Sequence, residues 1–170
     1  SDISDDSEKP SILVVGDGDF SYSAALAKAC AGRARLLATG FDSLEQVRER
    51  HPASEKAAAD ISALGGSVRH GVDGMLLHEM AHPYAPFQRV VWLFPQSPQW
   101  RRIDQHRELL KLFFFSCAQD SVLATGGRIF MALLAGQGGT SAEPVSKKRR
   151  SGDTWQVVEL AALASMKVME

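Results

Sequence analysis

The chain has 170 residues, a formal net charge of −1 and 45% hydrophobic residues, which is enough apolar material for the core of one domain. The near-neutral charge excludes a global attraction to nucleic acid, so any such affinity must come from a local basic patch. No apolar run approaches the length of a membrane span, and we expect no membrane partner. The two cysteines, Cys30 and Cys117, lie in apolar helical stretches and are predicted to be buried thiols, although the sequence leaves a disulfide open.

Predicted strands and helices alternate along the chain, which is typical of a doubly wound, mostly parallel α/β sheet. We expect residues 1–10 to form a disordered leader and residues 11–170 to form one domain. Strands are predicted at 11–15, 35–39, 67–70, 89–94 and 128–134, and a sixth begins at 166. Helices are predicted at 20–31, 43–64, 75–81, 101–123 and 154–164, with a break near His51-Pro52 and with Asp153 as the cap of the last helix.

A two-glycine turn follows the first predicted strand. The apolar run 12–15 ends at Gly16, and Gly18 follows ahead of a helical segment. Strand, glycine turn and helix in this order are typical of a cofactor-binding unit. The third glycine of a dinucleotide fingerprint would stand where this chain has Ser21, which disfavours a nicotinamide oxidoreductase. An ordinary turn without a ligand is the alternative.

Acidic residues follow each of the first three predicted strands. Asp17 and Asp19 follow the first strand, Asp42 the second and Asp73 the third. In a parallel sheet these positions share one edge, where Asp42 can accept ribose hydroxyls and Asp73 an adenine amine. Each charge-assisted hydrogen bond contributes about 1.5–3 kcal/mol. Without a phosphate loop, the arrangement favours S-adenosylmethionine, whose ammonium group an acid can hold. The alternative is that Asp42 caps a helix ahead of Leu44 and that Asp73 is also a cap.

Several segments resemble the ribosomal RNA (uridine-N3)-methyltransferase family, and together they span nearly all of residues 11–170. They are residues 15–23, 38–43, 70–73 and 94–95, and Gly136-Gln137 with Trp155. The resemblance implies a Rossmann-like class I methyltransferase domain, also found fused to a ferredoxin-fold anticodon-binding domain. It implies S-adenosylmethionine as cofactor and N3 of a uridine in large-subunit ribosomal RNA as acceptor. The implied cofactor-binding residues are Gly16, Asp17, Gly18, Asp19, Phe20, Ser21, Asp42, Ser43, Asp73 and Phe94.

One segment departs from the family pattern. After the fourth strand the family has an Asn-Phe-Pro-His-like segment, whereas residues 93–96 of this chain are Leu-Phe-Pro-Gln. Leu93 offers the methyl acceptor no polar group, which favours the alternative of a non-catalytic cofactor- or RNA-binding module of the same fold. The candidate catalytic residues are Pro95 and Gln96, of which Gln96 could orient a uracil carbonyl, and either His106 or Asp104 is expected near the mouth of the site. The chain also ends where the family continues into a final strand, so the sequence leaves open whether that strand is lacking.

Basic residues provide the candidate RNA-binding surface. Residues 138–152 are long for an internal loop, are expected to be flexible and contain four consecutive basic residues. The RNA-binding candidates are Trp100, Arg101, Arg102, Lys147, Lys148, Arg149 and Arg150; the alternative for the basic run is a solvated loop. Ribosomal or other structured RNA is the expected partner of a monomer. The resemblance and the basic run together predict a nuclear or nucleolar location, with the cytoplasm as the alternative.

The segment 78–82 matches the His-Glu-x-x-His pattern of zinc hydrolases. In that chemistry two histidines one helical turn apart bind zinc and the glutamate acts as base. Because Pro83 follows at once and no clear third ligand lies in a following helix, we expect a short surface helix and no metal site.

Overall fold

Five parallel strands form one sheet in the computed structural model, which describes residues 6–96 and 102–169. The strands are β1 (Ser11–Val15), β2 (Arg35–Thr39), β3 (Ser67–Arg69), β4 (Phe87–Leu93) and β5 (Leu123–Ala132). Their spatial order is β3-β2-β1-β4-β5, and each neighbouring pair is parallel. The predicted doubly wound α/β fold is confirmed.

The carboxyl ends of the strands meet at one edge of the sheet. Val14 of β1 pairs with Ala38 of β2, and Val15 pairs with Trp92 of β4. The chain places β2 and β3 on one side of β1 and then β4 and β5 on the other. The order in which strands are added therefore reverses next to β1. In this class of fold the reversal opens a crevice at the carboxyl edge, where ligands bind.

Alternate residues of β1 belong to two separate hydrophobic cores, one on each face of the sheet. Leu13 and Val15 belong to a core that includes Leu110, Phe113 and Leu160. Ile12 and Val14 belong to the other core, with Phe20, Ala24, Val47 and Ile61. All five residues of β1 are buried, as expected for a central parallel strand with helices on both faces.

Five α-helices connect the strands and cover the sheet. They are α1 (Ser21–Cys30), α2 (Leu44–Arg50), α3 (Ser54–Ala63), α4 (Ile103–Cys117) and α5 (Val157–Leu163). The predicted break near His51-Pro52 is confirmed, because α2 ends at Arg50 and α3 begins at Ser54. The predicted helix at 75–81 is a 3-10 helix, Gly74–Glu79.

Three expectations at the carboxyl-terminal end were wrong. The fifth strand begins at Leu123 rather than at residue 128. The two glycines predicted as a turn lie inside this strand, where Gly126 has φ +74° and the pairing with β4 is irregular. Asp153 belongs to a 3-10 helix, and Gln156 stands at the N-cap of α5. Residues 166–169 form no strand; they line the same 650 Å³ groove as β5 and pair with no described strand.

Both cysteines are free thiols, as predicted. Cys117 is buried, and this burial raises the pKa of its thiol far above the usual value. Cys30 is only half-buried, because the last turn of α1 borders solvent. Within the described ranges, no helix has the length and apolar character that a membrane crossing requires.

Candidate cofactor site

The β1–α1 turn forms the centre of the candidate site. Gly16 has φ +69°, and a Cβ atom there would lie 2.7 Å from Nε1 of Trp92. A Cβ built on Gly18 would have no described heavy atom within 4 Å, so a ligand can approach the backbone there. Phe20 begins α1 with φ +60°, and its ring is fully buried, edge-on to His70 at 5.1 Å. The whole residue is 0% exposed, so Phe20 supports the turn from within the core and offers a ligand no accessible surface.

The two acids of the turn have different surroundings. Oδ2 of Asp17 accepts hydrogen bonds from the backbone N and Oγ of Ser23, at 2.8 and 2.6 Å. Oδ1 of Asp19 accepts from the backbone N and Oγ of Ser21, at 3.0 and 2.7 Å. These bonds from Ser21 hold the pKa of Asp19 below its usual value. Asp17 thus anchors α1, while Asp19 is an exposed, ionised carboxylate that can hold an ammonium group.

Asp42, at the end of β2, is paired with an arginine. Its Oδ2 lies 2.8 Å from Nη1 of Arg50, near the end of α2. The alternative that Asp42 caps α2 was wrong, because Ser43 is the N-cap and forms a reciprocal capping box with Gln46. Ser43 therefore uses its hydroxyl to start the helix, and Asp42 keeps Oδ1 outside the Arg50 contact. Arg50 was not among the site residues predicted from the sequence.

Asp73 caps the 3-10 helix that follows β3, as the alternative predicted. Its Oδ1 accepts from the backbone N of Met75 at 2.9 Å, which leaves Oδ2 outside that bond. The loops after β2 and β3 are joined by backbone hydrogen bonds, from Gly71 N to Asp42 O at 3.0 Å and from Val72 N to Gly40 O at 2.9 Å. These bonds hold Asp42 and Asp73 on adjoining loops at one edge of the sheet.

The end of β4 presents an exposed aromatic ring. Phe94 has φ +52° and is 56% exposed, and its N–H donates to the carbonyl of Ala132 at 2.8 Å. Pro95 is buried and Gln96 is exposed, so only Gln96 of the two candidate catalytic residues presents a side chain to solvent. On the other side of β1, Phe41 after β2 is 57% exposed. Phe41 was not among the site residues predicted from the sequence, although an aromatic residue directly before Asp42 indicates an apolar surface at this strand end.

The basic run lies on a segment with defined local structure. Val145–Lys147 and Ser151–Asp153 are short 3-10 helices, and residues 147–150 are exposed. Arg102 forms two contacts with Asp104, at 3.0 and 2.9 Å, which partly neutralise it as a phosphate ligand. The two other RNA-binding candidates, Trp100 and Arg101, lie outside the described residues.

The His-Glu-x-x-His segment does not form the α-helix that zinc binding requires. His78 lies in a 3-10 helix, and its Nδ1 is 2.9 Å from Oγ of Ser116. Nδ1 of His82 accepts from the backbone N of Tyr84 at 3.2 Å. Across the described ranges, no group of three or more His, Cys, Asp or Glu side chains is arranged to hold a metal ion.

The residues at the carboxyl edge fit an adenosyl ligand. The open backbone at Gly18 gives access, and ionised Asp19 and the second carboxylate oxygens of Asp42 and Asp73 provide acceptors. Ribose hydroxyls, an adenine amine and an ammonium group all donate hydrogen bonds. The donor and acceptor chemistry of the site therefore matches S-adenosylmethionine. The 650 Å³ groove lies along β5 and is not part of this site.

Comparison with known proteins gives one family over most of the chain. Residues 13–170 match the BMT5-like family, described as rRNA (uridine-N3-)-methyltransferase BTM5-like. The ferredoxin-fold anticodon-binding domain-containing protein 1 homolog of Mus musculus is 35% identical over 153 residues, covering 89% of this chain and 24% of that protein. The corresponding protein of Homo sapiens is 34% identical over 156 residues, covering 91% and 24%. The chain spans about a quarter of the length of these relatives.

A solved structure supports the same architecture. The crystal structure of the 16S rRNA methyltransferase KamB superposes with a TM-score of 0.57 at 18% identity, covering 95% of this chain and 71% of that chain. At this identity the likeness concerns the fold alone.

Proposed function

Because the chain belongs to the BMT5-like family, we propose that its domain binds S-adenosylmethionine and transfers the methyl group to RNA, at N3 of a uridine in large-subunit ribosomal RNA. The observation that carries the proposal is the set of three acids at the carboxyl edge of the sheet, the edge on which the open Gly18 backbone also lies. Asp19, Asp42 and Asp73 follow β1, β2 and β3, and each keeps acceptor capacity beyond its internal hydrogen bonds.

Each acid has a separate part in binding. Asp19 holds the ammonium group, Asp42 accepts from the ribose hydroxyls through Oδ1, and Asp73 accepts from the adenine amine through Oδ2. Arg50 fixes the Asp42 carboxylate through Oδ2, so that Oδ1 is presented in one orientation. The exposed rings of Phe41 and Phe94 flank the turn from the ends of β2 and β4 and supply apolar surface for the adenosyl group.

The rest of the reaction depends on placement of the acceptor. When bound, S-adenosylmethionine supplies a methyl group already activated by the sulfonium charge, so the protein contributes mainly by positioning. Gln96 is exposed just past β4 and can orient a uracil carbonyl. The exposed basic run at 147–150 contacts RNA phosphates. These contacts would hold the uridine on the β4–β5 side of the cofactor.

Calorimetric titration of the protein with S-adenosylmethionine tests cofactor binding, with NAD as the competing ligand. We expect Asp42→Ala to weaken S-adenosylmethionine binding more than about tenfold, since it removes charge-assisted hydrogen bonds to ribose. Arg50→Ala is the matched control, because it breaks the same ion pair but keeps the Asp42 carboxylate. Loss of a surface ion pair of this kind should weaken S-adenosylmethionine binding by about fivefold at most. Equal losses in both variants, or binding of NAD alone, would contradict the cofactor assignment.

Transfer is tested separately from binding. Tritiated S-adenosylmethionine is incubated with the protein and total ribosomal RNA, and the labelled nucleoside is identified after digestion. Label in N3-methyluridine from large-subunit RNA is the expected result. Label in another base would reject the uridine assignment. Cofactor binding without transfer would favour the non-catalytic module, for which Leu93, apolar at the end of β4, is the supporting residue.

We also propose a nucleolar location and a monomeric state. The basic run of Lys147, Lys148, Arg149 and Arg150 is exposed, as a localisation signal must be, and ribosomal RNA is the proposed substrate. A fluorescent fusion in which these four residues are replaced by alanine tests the location, and sedimentation of the purified protein tests the monomer. A wild-type fusion excluded from the nucleolus would contradict the first proposal.

A further inference from the structure

A second aromatic cluster lies at the carboxyl edge, on the β4–β5 side of the sheet. His106 is in the first turn of α4, the helix that follows β4. Trp155 follows β5, and its backbone N–H donates to the carbonyl of Gln137 at 2.7 Å. The two rings stack, with centroids 4.3 Å apart and an angle of 11° between their planes. The residues proposed above for the cofactor take no part in this stack.

The two rings of the stack differ in burial, and Trp155 is the more buried of the two. Trp155 is only 8% exposed and covers one face of the imidazole. His106 itself is partly exposed. Arg107, the next residue of α4, holds the backbone beside Trp155, because its Nε and Nη2 donate to the carbonyl of Thr154 at 2.9 and 2.7 Å. The imidazole is thus a flat surface with fixed support beneath it.

The ring stacks on Trp155, and its surroundings favour the uncharged form. Burial lowers the pKa of His106 below its usual value. Its Nδ1 is shielded from solvent and has no hydrogen-bond partner among the described residues. A buried ring nitrogen without a hydrogen-bond partner is unusual, since buried polar atoms nearly always have one. The arrangement provides an uncharged aromatic face rather than an internal hydrogen bond.

Arg107 also holds the basic run at 147–150 beside the His106 ring. Nη2 of Arg107 also donates to the carbonyls of Gly152 at 2.9 Å and Ser151 at 3.3 Å, directly after Arg150. Aromatic rings stack on unpaired bases and neighbouring cations contact the phosphates in proteins that bind single-stranded RNA. An uncharged ring beside four exposed cations has the composition of such a site.

We propose that His106, supported by Trp155, is the platform on which an unpaired base of the RNA stacks, while residues 147–150 contact the adjoining phosphates. The proposal deepens the proposed function, on which it rests for the nature of the acceptor. It assigns the ligand class as a single-stranded nucleotide segment rather than a closed duplex, whose bases present no free face. His106 is a substrate-binding residue in this proposal.

Binding of a short oligouridine, measured by fluorescence anisotropy, tests the platform. The comparison ligand has the same backbone with abasic nucleotides. We expect the wild-type protein to bind oligouridine at least about tenfold more tightly than the abasic ligand, and His106→Ala to lose that preference. His106→Phe keeps the flat ring and should bind oligouridine nearly as the wild type does. His82→Ala is the control, because His82 also contacts an aromatic ring, Tyr84 at 4.6 Å, but precedes β4 at the opposite edge of the sheet.

The outcomes separate this proposal from the proposed function. S-adenosylmethionine binding is measured on the same samples and should be unchanged in His106→Ala. Equal binding of oligouridine and abasic ligand by the wild-type protein would overturn the platform even if the cofactor binds and methyl transfer occurs. Unchanged oligouridine affinity in His106→Ala would overturn it as well. If His106→Ala fails to fold, the abasic comparison on the wild type and the His106→Phe result still decide the question.

Discussion

Two glycines of the β1–α1 turn are needed for different physical reasons. Gly16 has φ +69° and stands against the Trp92 ring, so that both its backbone conformation and its packing exclude a side chain. Gly18 faces open space in the described structure, and a side chain there would meet the ligand rather than the protein. Gly16 is therefore required by the fold, and Gly18 by the proposed cofactor.

Alanine substitutions should separate these roles. We expect Gly16→Ala to lower the free energy of unfolding by about 1–3 kcal/mol, because the backbone is strained and Cβ overlaps Trp92. Gly18→Ala should leave the free energy of unfolding unchanged and weaken S-adenosylmethionine binding. Urea denaturation and calorimetry measure the two effects. Gly65→Ala, at φ +79° with no described atom near its Cβ, measures the backbone strain alone. A Gly16→Ala variant that loses no more stability than Gly65→Ala would show that Trp92 moves aside.

At the scale of elements, α4 organises the segment between β5 and α5. Arg107 binds three carbonyls of this segment through its guanidinium. At the other end of the segment, Glu143 accepts from the backbone N of Gly136 at 2.6 Å and of Gly138 at 3.3 Å. The basic run is thus presented between two fastened ends, which reduces the entropy lost when RNA binds.

Removal of the arginine should release the segment. We expect Arg107→Ala to raise the rate of tryptic cleavage at Lys147–Arg150 about tenfold, because charged hydrogen bonds to three carbonyls are lost. Limited proteolysis followed by mass spectrometry measures the rate. Lys111→Ala removes a cation from the same helix, which pairs with Glu108 at 3.6 Å, and should not change the cleavage rate. Identical cleavage of the wild type and Arg107→Ala would mean that the segment is already open.

For the whole molecule, the position of a strand in the sheet should set its stability against local opening. β1 is buried along its whole length between β2 and β4, whereas β3 has three residues, none of them buried, at one edge. We expect the amides of β1 to exchange with deuterium at least about 100-fold more slowly than those of β3. Hydrogen exchange followed by mass spectrometry tests this expectation. Equal exchange in both strands would show that the domain opens only as one unit.

The failed expectations share a cause at this scale. The sequence pattern predicted a strand at 166–169, but a strand requires a neighbour with which to form hydrogen bonds, and these residues line a groove opposite β5. The pattern likewise predicted Asp153 as a cap, whereas the hydrogen bond from Val157 N to Gly138 O begins α5 later. Local composition specifies neither a neighbouring strand for residues 166–169 nor the Gly138 carbonyl that Val157 contacts.

The sequence by itself determined the alternation of strands and helices, the first glycine turn and the placement of Asp19, Asp42 and Asp73 at three strand ends. These features depend on periodicity and backbone chemistry within short segments, and parallel pairing then places the strand ends at one edge. Only the tertiary structure decided which other side chains contact the residues at these strand ends. Arg50 reaches Asp42 because α2 folds beside β2, and His106 meets Trp155 because α4 packs beside the segment after β5. Contacts between such distant parts of the chain follow from packing, which no local pattern specifies.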